Sequence, residues 1–215
     1  PYIRRLHQEI AELKLELERW QTWKPPGHFY SPIPSLDDVK NDYHRIFKPA
    51  ETAISTINLN ENRQSEQLEA FIPFYKELPF PENPTEDFRY HFNNEYFSYA
   101  DGITLYCMMR HIRPKLVIEV GSGFSSALML DTNDHFLDHS VEFAFIEPYP
   151  ERLESLFWGK DKDNVRILRH RVQEIPLSMF RELKSGDILF IDSSHVAKTG
   201  SDVNFLLFEV LPILE

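Results

Sequence analysis

Six residues within one short run have the types and spacing to hold a nucleoside-type ligand. Glu119, Gly121, Ser122, Gly123, Ser125 and Ser126 lie in KLVIEVGSGFSSALML, residues 115–130, where an apolar strand pattern turns into a helix pattern. Gly121 and Gly123 permit a tight turn and a close backbone approach to a ligand. The helix that follows offers unpaired N–H groups to an acceptor such as a carboxylate. Further on, Glu147 closes a second strand pattern, FAFIEP, from which a carboxylate reaches ribose hydroxyls beside the first turn. Asp192 and His195 close another, DILFIDSSH. That pair suits removal of a hydroxyl proton by His195 or, with Asp202, the holding of a divalent cation such as Mg.

Two ligand classes compete for the glycine turn. A dinucleotide fingerprint requires a third glycine, and Ser126 stands in its place. An acid at Glu119, two residues before the first glycine, would repel a pyrophosphate. The same carboxylate would stabilise the ammonium and sulfonium of S-adenosylmethionine, so charge favours the methyl donor. Glu147 serves either ligand.

The elements around these residues alternate. Strand patterns at Leu116–Val120, Val141–Glu147, Val165–Arg169 and Asp187–Asp192 are separated by helix patterns at Phe124–Asp131, Pro150–Trp158 and Leu177–Leu183, with a last helix at Asp202–Leu214. Such a series predicts an α/β fold, a Rossmann-like parallel sheet with helices on both faces. Ligands in such sheets bind beyond the carboxyl ends of the strands. Ahead of it, residues 1–24 carry Ile3, Leu6, Ile10, Leu13, Leu17 and Trp20 at alternating spacings of three and four, a heptad seam. That seam fits either a coiled-coil homodimer or a helix laid against its own domain. Residues 25–95 form a Pro-rich loop and helical cap region, with one helix expected over Asn60–Leu78 and capped by Asn60. Within it His28 and Tyr30 sit on a stiff loop that could close over an acceptor. Residues 96–215 form the ligand-binding domain. It opens on a helix at Tyr99–His111, where Tyr99 and Asp101 could reach the ligand's edge.

EVGSGFSS, FAFIEP, RHRVQEIP and DILFIDSSH, in that order, resemble the motifs of class I S-adenosylmethionine-dependent methyltransferases. More narrowly they are similar to a bacterial small-molecule branch whose fourth strand ends in Asp-x-x-His. The resemblance covers residues 99–215. It implies that Glu119, Gly121, Ser122, Gly123, Ser125 and Ser126 hold the methionine end of the cofactor. It implies Glu147 and Pro148 at the ribose, and Val172 and Gln173 at the adenine, with Glu174 pointing elsewhere. A complete fold of this class has seven strands, and metal-using relatives carry a further acid after the fifth. Residues 1–215 end before that strand, which leaves base and metal readings both open for Asp192, His195 and Asp202.

Composition bounds the partners. A formal net charge of −11, with ten acids against three bases between Glu51 and Ile103, argues against a nucleic acid or an anionic membrane. The single cysteine, Cys107, rules out an internal disulfide, and no apolar run is long enough to span a bilayer. A cytoplasmic protein fits best. The function expected is methyl transfer to a hydroxyl of a small-molecule acceptor, such as a sugar, polyketide or peptide-derived product. The alternatives are a non-catalytic nucleoside-binding scaffold assembled through the N-terminal helix and, with less support, a nicotinamide-dependent oxidoreductase.

Overall fold

Apolar residues three and four apart make the N-terminal stretch helical. Helix α1 (Tyr2–Trp20) is the first element of the computed structural model, which describes residues 2–20, 33–47 and 58–214. Leu6, Ile10, Leu13 and Leu17 are all exposed along it. Two short helices follow, α2 (Leu36–Asn41) and α3 (Tyr43–Ile46). Ser35 Oγ caps α2 by accepting the Asp38 N–H at 3.1 Å. His28 and Tyr30 lie outside the described residues.

These helices belong to one unit, Pro1–Leu59, and the remainder, Asn60–Glu215, forms a second. The division therefore falls at residue 60 rather than at 96. The reason is packing. Phe71, Phe80, Tyr90 and Phe92 share one buried cluster with Val117, Leu128 and Phe143, so the loop-rich segment belongs to the sheet's own core.

The second unit runs α4 (Glu61–Lys76), α5 (Tyr99–Ile112), β1 (Leu116–Val120), α6 (Phe124–Phe136) and β2 (Glu142–Ile146). It continues with α7 (Glu151–Ser155), α8 (Asp161–Asn164), β3 (Arg166–Leu168), a 3₁₀ turn at Val172–Glu174, α9 (Leu177–Phe180), β4 (Ile188–Ile191) and α10 (Asp202–Phe205). The four strands form one all-parallel sheet in the order β3-β2-β1-β4. This is a Rossmann-like α/β fold. Among the described residues no helix is long and apolar enough to cross a membrane.

Strand alternation divides the core in two. Val117, Phe143 and Phe145 face the layer of α4, α5 and α6, while Ile118, Val120, Ala144 and Ile146 face Val172, Phe180, Leu206 and Val210. Two expectations need correction. Asn60 precedes α4 in a left-handed conformation, φ 54°, and its side chain makes no capping bond. The helix expected over Asp202–Leu214 stops at Phe205, widens into a π-type turn at Leu206–Val210 and tightens to 3₁₀ at Leu211–Ile213. Pro212 has no N–H to continue an α-helical ladder.

Candidate functional site

The strand ends converge where sequence order reverses, between β1 and β4. The ladder carries on into the loops: the Gly121 N–H donates to Ile146 O at 3.0 Å, and the Asp192 N–H to Val120 O at 2.9 Å. Gly121 has φ +85°, and a Cβ built there would stand 1.9 Å from the carbonyl oxygen of Asp192. Only glycine fits, because both the conformation and the close approach exclude a side chain.

Two adjoining cavities open around this contact. The larger, about 500 Å³, is lined by Gly121, Glu147, Pro148, Val172, Gln173 and Asp192, together with Arg171, Ser193, Ser194 and Lys198. The smaller, about 210 Å³, is lined by Tyr96, Phe97, Ser122, Gly123, Phe124, Ser125 and Arg152, and shares Gly121, Glu147 and Asp192 with its neighbour. Glu147 is fixed by backbone donors, the Ser122 N–H at 3.1 Å and the Tyr149 N–H at 2.9 Å. A carboxylate with two oxygens has acceptor sites left for ligand hydroxyls. Gln173 lines the larger cavity but spends its amide N–H on Gly200 O at 3.0 Å, which leaves its carbonyl oxygen as an acceptor. Glu174 turns away and pairs with Arg171 at 2.9 Å.

Glu119 is placed differently from expectation. It shares a face with Val117, beneath α6, is fully buried, and lines neither cavity. Ser125 Oγ and Ser126 Oγ donate to its two oxygens, and Ser126 Oγ also accepts the Gly123 N–H at 3.0 Å. Burial pushes its carboxyl up to about 8, against the pull of the Ser125 and Ser126 hydroxyls. The charge that the glycine turn was expected to present thus comes from Glu147 and Asp192. Glu119, Ser125 and Ser126 instead pin the start of α6 to β1.

His195 sits in the left-handed region, φ +58°, uncommon for a residue with a side chain. Its Nε2 lies 3.2 Å from Asp192 Oδ1. The turn is held by Asp202, which accepts the Ser194 N–H at 2.8 Å and the Ser194 hydroxyl at 2.6 Å. Partial burial raises the Asp202 carboxyl, but these two donors, joined by the Val203 N–H and the Ser193 side chain, more than offset it and hold the group at about 2. The structure therefore pairs Asp192 with His195, which is exposed and lines neither cavity, and ties Asp202, which lines the larger cavity, to the turn. Among the described residues no three His, Cys, Asp or Glu side chains are grouped to hold a metal ion.

Tyr99 and Asp101 are not brought to the site. The Tyr99 hydroxyl bonds to Glu82, its ring stacks on Phe92 at 5.0 Å, and Asp101 borders a separate groove along α5 and β4. Sequence reasoning missed Tyr96 and Arg152, whose guanidinium lies 3.6 Å from the Tyr96 ring centroid at the mouth of the smaller cavity. The available signal was a cation five residues after Glu147, on the element that follows the second strand.

No family model matches the chain. It is 34% identical over 170 residues to an uncharacterized protein of Archaeoglobus fulgidus, a match spanning 76% of this chain and 75% of that protein.

Proposed function

The chain belongs to one family with the Archaeoglobus fulgidus protein, and from its own site we propose that it is a class I S-adenosylmethionine-dependent methyltransferase acting on a hydroxyl of a small molecule. One observation carries the reading: two carboxylates, Glu147 and Asp192, flank a glycine turn that bars any side chain, and all three line both cavities. Carboxylates on both sides suit a cationic nucleoside and oppose a pyrophosphate. Ser126, buried in the first turn of α6 where a dinucleotide fingerprint has glycine, counts the same way.

The residues present fit that cofactor by their donors and acceptors. Glu147 would take the ribose hydroxyls, with Pro148 alongside. Val172 and the free carbonyl of Gln173 would meet the adenine, and Gly121 with Asp192 the methionine end. When bound, the cofactor supplies an electrophilic methyl group. Asp192 orients the His195 ring through Nε2, so that Nδ1 is left to accept the acceptor's hydroxyl proton. Asp202 holds the turn through Ser194, and His195, outside the lining of both cavities, would meet the acceptor at the edge of the site beside Asp192. Because Asp202 is turned toward Ser194, a base is favoured here over a three-ligand site for a divalent cation such as Mg.

Calorimetry of the full-length protein with S-adenosylmethionine and its demethylated product should detect binding. His195→Ala should keep that binding and lose roughly 10²-fold or more in methyl transfer to small hydroxyl acceptors. Absence of binding to either compound would sink the proposal. The exposed apolar seam of α1 favours a second reading, a nucleoside-binding scaffold assembled through that helix. It would be established by tight binding with no methyl transfer that depends on His195.

A further inference from the structure

We infer that α1 pairs with α1 of a second copy of this chain as a parallel, in-register two-stranded coiled coil. The seam residues Leu6, Ile10, Leu13 and Leu17 are 37%, 46%, 63% and 59% exposed, and Ile3 and Trp20 continue their spacing in sequence. A helix of this length draws most of its stability from burying such a stripe. Leu15, 57% exposed, lies outside the seam.

The occupant and its direction follow from the residues beside the seam. With Ile3, Ile10 and Leu17 at the first core position and Leu6, Leu13 and Trp20 at the second, the first two heptads carry the pattern that favours two parallel strands. In that arrangement each residue preceding a first core position faces the residue that follows the next second core position on the partner. Glu9 then meets Lys14 of the second copy, twice by symmetry. An antiparallel pairing would instead set Glu9 against Glu16, like against like. Within its own helix Glu9 pairs with Arg5, Nε to Oε1 at 3.1 Å, an exposed contact that pairing with Lys14 of the second copy would exchange or share. Both Glu9 and Lys14 are exposed.

Sedimentation equilibrium of the whole chain should show a species of twice the chain mass. Lys14→Glu turns two attractions into two repulsions and should raise the dimer dissociation constant roughly tenfold. Adding Glu9→Lys to it should restore pairing, with circular dichroism checking that helix content is kept. Leu6→Cys should cross-link on oxidation, because parallel register sets the two thiols together while the native Cys107 is buried. A monomer at all concentrations overturns the inference. So does a charge swap that fails to restore pairing, or a Leu6→Cys chain that does not cross-link, since antiparallel register sets Leu6 against Leu17.

Discussion

A buried carboxyl such as Glu119 links the fold to pH. Its pKa stands at about 8 in the fold against an ordinary 4.5, so the folded state keeps a proton that the unfolded chain has lost. Below about 4.5 both states are protonated and the contribution is fully present. It falls as pH rises, and is lost once pH passes about 8. Glu119→Gln keeps the polar contacts to Ser125 and Ser126 without an ionisable group. Urea unfolding across pH 5–8 should show the wild type losing stability relative to this variant, by about 1 kcal/mol per pH unit at the steepest. A parallel pair of curves would refute the assignment. Its direction was legible in the sequence, since Val117 and Glu119 must share a face, but the acid's place before the glycines drew attention to the ligand instead. Glu147 and Asp192 were legible because strand ends in this fold point to the site. The tie from Asp202 to Ser194 was not, because it depends on the left-handed turn at His195.

At the scale of elements, the strand patterns at Leu116–Val120, Val141–Glu147, Val165–Arg169 and Asp187–Asp192 located all four strands, the last three running past the observed ends, and their alternation with helices pointed to the parallel sheet. What holds the helices on the sheet was hidden. Arg89, in the loop between α4 and α5, is buried and bonds at 2.7 Å to Asp131 and Asp134 of α6 and to Asp161 at the start of α8. Burial works against its charge, yet bonds to Asp161, Asp131 and Asp134 hold its pKa above the ordinary arginine value. These partners lie 42, 45 and 72 residues further on, beyond the reach of any local pattern. Arg89→Ala would leave Asp131 buried and uncompensated. A loss of about 3–5 kcal/mol in urea unfolding is expected, with Arg89→Lys losing less because the charge survives. A loss below 1 kcal/mol would show that the network is dispensable.

At the scale of the molecule, both buried clusters lie wholly within Asn60–Glu215. Among the described residues, that unit therefore carries a core of its own. A chain beginning at Asn60 should unfold cooperatively with a urea midpoint equivalent to within about 0.5 kcal/mol of the full chain's; a markedly lower midpoint would contradict this. Composition gave no sign of that packing, because a loop rich in Pro and acid still buries its Phe and Tyr side chains. The contact between Gly121 and the carbonyl of Asp192 has a consequence across the family as well. Any side chain admitted at 121 must displace the backbone at 192, and with it the turn that carries His195. The two loops are thus constrained to diverge together, and aligned relatives should show position 121 departing from glycine only where the segment after the fourth strand has been rebuilt in length.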